Sequence, residues 1–252
     1  MSISPDTGCH FSFHIAGFRA VCPYFAEPEN WRAWANGTHL DKDLEYKPAL
    51  AFLPAMQRRR LGLAARLVLD ASWPLAEHYP ACPMVFASHD GELNRSVELW
   101  LDLLREGLVS PTSFGLSVHN ALAGQWSMLR GDMSENTALS VCRDGLETAL
   151  AEACALLEEG IERVLVVLAD EPLKQEYAVA AVRAPFAYAL AMMVEKGGEY
   201  ELNLLPDVED GGMSDKVLRY DGALDWLRFV HSDGIEYIQN YGRRRWLWRK
   251  QR

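Results

Sequence analysis

The residue with the clearest chemical potential is Cys142, in the segment LSVCRDGLETALAEACALLEEG at positions 139–160. A short β-compatible run precedes this cysteine and a helical pattern follows it. A helix N-terminus lowers the pKa of a thiol and favours the nucleophilic thiolate. Cys142 is therefore a candidate nucleophile, with His119 as its candidate base. The alternative is a small buried side chain that only packs.

Few other residues are spaced for chemistry. The five cysteines are scattered and never spaced CxxC, which argues against a disulfide framework and against a zinc site. His10 and His14 share no ligand face with another candidate, so the sequence predicts no metal and no cofactor. The pair His119 and Asn120, in SVHNALAG, fits either packing at an interface or catalysis.

The elements around Cys142 follow the order strand, helix, strand. ENTALSV is β-compatible, the helix runs to Gly160, and RVLVVLADEP is an apolar run typical of a strand buried on both faces. Asp144 is a predicted N-cap, and Glu147 three residues later completes a capping-box pattern. This order implies parallel strands.

The rest of the chain adds further strands and helices. HFSFHIAGFRAVCP predicts a strand, and PAMQRRRLGLAARLVLDASWPLAEHYP predicts one amphipathic helix. CPMVFASHDGE and LNRSVELWLDLLREG predict a strand and a helix, and LSVHNALAGQWSMLRG predicts a helix rich in small residues. The segment around Gly197 and Gly198 predicts two joined strands. We therefore expect an α/β fold with a mixed, mostly parallel sheet packed with helices, as one domain over residues 1–252.

Composition and charge narrow the class of protein. The 252 residues are 49% hydrophobic and 24% charged, as in an ordinary globular protein. No run approaches the roughly 20 apolar residues needed to span a bilayer, and no leader is recognisable, so we expect a cytoplasmic protein. The net charge is −10, yet the last eleven residues, GRRRWLWRKQR, contain six basic and no acidic residues. The remainder is strongly acidic and would repel nucleic acid.

Several segments together resemble a known family. The segments are PAMQRRRLGLAARL, FASHDGELNRS, SPTSFGLSVHNALAG and the terminal GRRRWLWR. They resemble the N-terminal half of β-ketoacyl synthases of the thiolase fold, and more closely the shortened, chain-length-factor-like proteins of aryl polyene and type II polyketide systems. The resemblance covers about residues 20–245, with a basic tail at 242–252.

The resemblance also locates the nucleophile position. In the family pattern the reactive cysteine lies about nineteen residues after the glycine of the small-residue helix and about seventeen before the glycine that ends the next helix. Counting from Gly124 and from Gly160 gives the same residue, Arg143. Cys142 is one residue early, and alternation would turn it toward the packed sheet. The two histidines that full ketosynthases take from their C-terminal half have no counterpart here. The resemblance therefore implies no catalytic residue.

The expected role is a chain-length-factor-like subunit paired with a full-length ketosynthase, with an acyl carrier protein as a further partner. The expected pocket residues are Arg143 and Asp144. Arg143 gates or blocks an acyl pocket, presents a fixed cation to a partner's site, or forms an ion pair with Asp144 or Glu147. The expected interface residues are His119, Asn120, Ala123, Gly124, Thr137, Leu139 and Val141. The alternatives are a cysteine-dependent acyl-thioester hydrolase or transferase, and a scaffold that docks carrier proteins.

The tail has several interpretations. Arg243, Arg244, Arg245 and Arg249 are candidate contacts for an acidic acyl carrier protein or for anionic lipid at a membrane surface. Alternatively, the tail is a strand whose Trp246 and Trp248 pack inward while its arginines stay solvated.

Overall fold

The computed structural model describes residues 9–177, 184–206, 222–242 and 244–251. They form one seven-stranded sheet with helices on both faces. The strands are β1 (His10–Val21), β2 (Met84–Ser88), β3 (Asn136–Ser140), β4 (Arg163–Asp170), β5 (Tyr188–Leu205), β6 (Glu236–Tyr241) and β7 (Arg244–Lys250). The helices are α1 (Pro28–Ala35), α2 (Ala55–Arg59), α3 (Leu63–Ala76), α4 (Leu93–Glu106), α5 (Pro111–Gly115), α6 (Ala121–Arg130), α7 (Gly145–Glu158) and α8 (Gly222–Val230).

The sheet is mixed, as the sequence predicts. Its order is β3-β2-β4-β5-β7-β6, and β1 pairs with β5. β2 pairs in parallel with both β3 and β4, whereas β5 is antiparallel to β4, β1 and β7, and β6 is antiparallel to β7. Among the described strands, all but β5 and β6 therefore run in one direction. Five of these seven strands thus point the same way, yet most neighbouring pairs are antiparallel, because β5 lies between strands that run opposite to it.

The core lies on both faces of the sheet. Val164, Val166 and Leu168 of β4 pack with the cluster that contains α7 and α8. Their neighbours Leu165 and Val167 pack with the cluster that contains α3 and α6. Burial of each such side chain contributes about 1.5–3 kcal/mol. The continuous apolar run of β4 follows from this burial on both faces.

At two glycines the observed helices and strands differ from those predicted from the sequence. The single helix predicted after Pro54 is two helices, because the backbone of Gly62 is extended and α3 begins only at the next residue. The two strands predicted around Gly197 are the single strand β5, which has a bulge opposite β1 between Phe13 and His14. A Cβ on Gly197 would lie 2.6 Å from the Cβ of His14, so the close strand approach requires glycine.

The C-terminal segment also differs from a free tail. It forms β7, which lies between β5 and β6, and Trp246 and Trp248 are buried. The strand interpretation of this segment is therefore confirmed. The predicted polar loop DVEDGGMSD at 207–215 lies outside the described residues.

Candidate functional site

The predicted strand and helix around Cys142 are present, and residues 141–144 form a sharp elbow between them. β3 ends at Ser140 and α7 begins at Gly145. The backbone N–H of Val141 donates to the carbonyl oxygen of Ser88 at 3.1 Å, which extends the β2–β3 ladder by one residue. A Cβ on Gly145 would lie 2.7 Å from Cγ2 of Val141, so the sharp turn requires glycine. The elbow is thus fixed by backbone geometry.

The expectation that Cys142 faces the packed sheet is wrong, because its side chain is exposed. Cys142 lies two residues beyond the end of β3, where the alternation of a strand no longer sets side-chain direction. Cys22, Cys82 and Cys154 are buried instead. Burial raises the pKa of Cys82 to about 11 and that of Cys154 to about 12, which keeps both as thiols.

The predicted capping box at the start of α7 does not form. Asp144 precedes the helix but makes no side-chain hydrogen bond to its backbone. Instead Nε1 of Trp246 donates to Oδ2 of Asp144 at 3.1 Å, and Nη2 of Arg244 lies 2.8 Å from Oδ1. The carboxylate is buried and turned toward β7. It pairs with Arg244 and not with Arg143, which is half-buried.

Glu147 is directed into the core. Nε1 of Trp248 donates to Oε1 of Glu147 at 3.0 Å, and the hydroxyl of Tyr241 lies 3.3 Å from Oε2. Complete burial raises the pKa of Glu147 to about 7; the charge of Asp144 adds to this effect, and the hydrogen bond from Trp248 opposes it. The Tyr241 hydroxyl also lies 2.5 Å from Oε1 of Gln239. Burial and the carboxyl of Glu147 raise the pKa of Tyr241 above its usual range.

Two buried acidic side chains, Asp144 and Glu147, therefore lie behind the start of α7, and their hydrogen-bond donors come from β6 and β7. Sequence spacing gave no signal for this network, because Trp246 and Trp248 lie about a hundred positions from their partners.

His119 is not placed to act on Cys142 through Nε2. That nitrogen lies 3.0 Å from the carbonyl oxygen of Ser88. Gly91 has a φ of +53°, and a Cβ there would lie 3.1 Å from Cδ2 of His119. His119 and Asn120 lie in the turn before α6 and not inside the predicted helix, which begins at Ala121.

Helix α6 packs beside β3. The side-chain amide of Asn136 donates to the carbonyl oxygen of Ala123 at 2.9 Å. Ala123 is buried in the protein's own core, whereas a Cβ on Gly124 would meet no atom within 4 Å. Of the interface residues predicted in this turn and helix, Gly124 and the exposed Asn120 therefore have the side-chain positions most open to a partner.

Strand β3 lies at the end of the sheet, and no described strand covers its outer side. Two backbone hydrogen bonds show which residues of β3 face β2: the N–H of Met84 donates to the carbonyl oxygen of Glu135, and the N–H of Val141 donates to that of Ser88. In a pair of parallel strands, every second residue of a strand forms its backbone hydrogen bonds with the same neighbouring strand. Thr137, Leu139 and Val141 thus direct their backbone groups to β2. The outward N–H and C=O groups belong to Asn136, Ala138 and Ser140.

The basic residues of the C-terminal segment contact their own chain. Arg244 pairs with Asp144, Nη2 of Arg245 donates to the Pro206 carbonyl at 3.2 Å, and Nε of Arg249 lies 2.8 Å from Oε1 of Glu236. Arg243 lies outside the described residues.

The described part of the chain contains no cluster of three metal-ligating side chains. His10 contacts Asn203, and His14 pairs with Glu199. Among the helices in the described ranges, none is long and apolar enough to cross a bilayer.

Comparison with known proteins identifies the class. Residues 31–249 match the family of β-ketoacyl synthase N-terminal domains. Because this match spans most of the chain, the protein belongs to that family. The sequence matches no curated protein.

Solved structures share the fold. A ketosynthase (ApeO) in complex with its chain length factor (ApeC) from Xenorhabdus doucetiae aligns with a TM-score of 0.81 and 23% identity, over 95% of this chain and 100% of that chain. The ishigamide ketosynthase/chain length factor aligns with a TM-score of 0.59 and 17% identity, over 79% of this chain and 69% of that chain. The type II complex AntDE:AntF, an acyl carrier protein with its ketosynthase, aligns with a TM-score of 0.65 and 13% identity, over 94% of this chain and 98% of that chain. The thiolase-like fold is thereby confirmed.

Proposed function

We propose that this protein is a chain-length-factor-like subunit without condensing activity of its own. It pairs with a full-length ketosynthase in type II polyketide or fatty-acid-like biosynthesis, with an aryl polyene as the favoured product. The observation that carries the proposal is the open edge of β3, which directly precedes the elbow. The likeness to ketosynthase/chain length factor complexes supports it.

The elbow supports a non-catalytic role. Arg143 occupies the position that the family pattern gives to the nucleophile, and two buried carboxyl groups follow it. Without a nucleophile at the family position, the subunit would form one side of an interface and one wall of an acyl tunnel, with Arg143 at that wall.

The complex we propose is cytoplasmic and contains this chain, the ketosynthase as a heterodimer or heterotetramer, and a transient acyl carrier protein. The acidic carrier protein, or an anionic lipid surface, would meet the arginines of the C-terminal segment. Arg244 and Arg249 already pair with Asp144 and Glu236, so either partner would compete with these acids.

The test uses the outward backbone of β3. Ala138→Pro removes one outward N–H and leaves the bonds to β2 intact, because proline is tolerated at the free side of an edge strand. We expect this variant to lose co-elution with the full-length ketosynthase of the same pathway on size exclusion. Ala138→Val is the matched control, since it keeps the N–H, and it should co-elute. Leu139→Arg and Ala123→Trp are unsuitable because both side chains pack in the chain's own core.

If the wild type does not co-elute with the ketosynthase, the pairing proposal is wrong. If the wild type and Ala138→Pro co-elute equally, the assignment of β3 to the interface is wrong. Polyene output, measured in parallel, should follow co-elution.

A second candidate function is favoured by the exposure of Cys142. An exposed thiol beside the start of a helix could accept an acyl group from a thioester, with the donor thiol as the leaving group. Intact-mass analysis after incubation with an acyl-thioester distinguishes the two functions. We expect no acyl mass on Cys142 and unchanged polyene output from Cys142→Ser; acylation at that residue would favour the hydrolase or transferase.

A further inference from the structure

Helix α4 presents its apolar side to solvent. None of its residues is buried, and Trp100 and Leu104 are 61% and 66% exposed. The exposed apolar side chains continue past the helix into α5. We name this set the α4–α5 surface, which consists of Trp100, Leu103, Leu104, Leu108 and Phe114. Such a cluster on one helix and its neighbour marks an interaction site more often than chance exposure.

The opposite side of α4 is held by the chain itself. The side-chain amide of Asn94 donates to Oε1 of Glu171 and to the carbonyl oxygen of Pro172, both at 3.0 Å. Lys174 pairs with Glu98. All three partners follow the end of β4. The polar side of α4 therefore faces the β4 side of the sheet.

Helix geometry then gives the direction of the apolar side. Each residue advances about 100°, so Leu103 lies two and a half turns from Asn94 and on the opposite side of the helix. Trp100 is similarly opposed to Glu98. Ser96, one turn before Trp100 on the same side of the helix, donates from its hydroxyl to the carbonyl oxygen of Ser117 at 3.1 Å. The side of α4 that carries Trp100 and Leu103 therefore lies next to the turn that leads into α6, the helix that packs beside β3.

The edge of β3 is too small to hold a stable partner alone. Its five residues give an edge of about 17 Å. A stable interface buries about 800 Å² on each partner and uses about 20–30 residues a side. A partner bound at β3 therefore needs further apolar area, and the α4–α5 surface offers it on the same side of the molecule.

We propose that the α4–α5 surface is the hydrophobic centre of the interface with the ketosynthase subunit, and that Trp100 is its main anchor. This inference rests on the proposed function, because the ketosynthase is the partner assigned to β3. Buried tryptophans are over-represented among the residues that dominate interface energies. Backbone pairing at the β3 edge would then fix the register of the two subunits, and the α4–α5 surface would supply most of the affinity.

The experiment measures the Kd for the full-length ketosynthase by titration of Trp100→Ser, Leu104→Ser and a matched control. The control is Ile238→Ser, an exposed apolar residue on β6 at the opposite end of the sheet from β3. We expect Trp100→Ser to weaken the Kd by at least about 30-fold and Ile238→Ser by less than about threefold. Hydroxyl-radical footprinting should show that Trp100 becomes protected in the wild-type complex. Unchanged thermal unfolding would show that each variant is folded.

The outcomes separate this inference from the proposed function. If the wild type does not bind the ketosynthase, the proposed function is wrong and the inference falls with it. If the wild type binds and Trp100→Ser binds equally well, only the α4–α5 assignment is wrong. If Trp100→Ser instead converts a dimer of this chain to a monomer without changing the Kd for the ketosynthase, the surface serves self-association and the inference is overturned.

Discussion

Glu147 is a fully buried carboxyl group at the start of α7. Burial is the largest influence on it and favours the protonated form, while the indole N–H of Trp248 favours the carboxylate. The neighbouring groups that face it are Asp144, Tyr241 and Trp248, and the Asp144 charge adds to the effect of burial. The result is a pKa of about 7, above the usual 4.5. Its ionisation is therefore linked to folding.

The residue-scale prediction concerns pH. Between about pH 4.5 and 7 the unfolded chain loses this proton before the folded chain does, so Glu147 makes the wild type less stable as pH rises through that window. Glu147→Gln lacks this titration. The quantity to follow is the free energy of unfolding of Glu147→Gln minus that of the wild type. We expect this difference to increase by on the order of 2–3 kcal/mol between pH 5 and pH 8. Urea unfolding at both pH values measures it.

The control for this prediction is Glu158→Gln, at the exposed end of the same helix. Its difference from wild type should be small, because the side chain is exposed. A pH-independent difference for Glu147→Gln would mean that Glu147 titrates normally in the folded protein.

At the scale of elements, β7 holds the start of α7 in place. Arg244 and Trp246 both contact the carboxylate of Asp144, and Trp248 contacts Glu147. The sequence allowed two interpretations of this segment, a basic tail for a partner or an inward-packing strand. The sequence did not choose between them, and the acidic partners in α7 could not be identified without the fold.

The element-scale prediction compares two arginines of β7. Arg244→Ala leaves the buried carboxylate of Asp144 without its counter-charge, which should lower the free energy of unfolding by about 1–2 kcal/mol after allowance for the exposure of Arg244. Arg249→Ala breaks an exposed pair with Glu236 and should cost less than about 1 kcal/mol. Chemical denaturation of both variants measures the difference. Equal costs would show that the Arg244 pair does not stabilise the elbow.

The elements that sequence predicted well are those set by local periodicity. β1, β2, β4, α4 and α7 lie where the pattern of apolar residues places them. The errors arose where distant groups decide the outcome. The capping box failed because β7 takes both oxygens of Asp144, and Gly197 allows a bulge against β1 in place of a turn. Similarly, the exposure of Cys142 depends on where β3 ends, and strand boundaries are weakly encoded.

At the scale of the whole molecule, buried and exposed apolar surface are unevenly distributed. The described part of the sheet is covered by helices on both faces, and a separate hydrophobic cluster lies on each face. Five of the fourteen large exposed apolar side chains in the described part of the chain lie on α4, α5 and the loop between them. An unpaired edge strand and an apolar helix face are both prone to self-association.

The whole-molecule prediction is that the isolated protein self-associates and that the ketosynthase prevents this. The net charge of −10 opposes association at long range, but short-range pairing of β3 edges and burial of the α4–α5 surface outweigh it at moderate ionic strength, where charges beyond about 10 Å are screened. Sedimentation velocity of the isolated chain should show species larger than a monomer whose fraction grows with concentration and with salt. Adding one equivalent of ketosynthase should replace them with a single complex of defined mass. A monomer that persists at high concentration and in high salt would show that neither surface is adhesive enough to form the interface we assign to it.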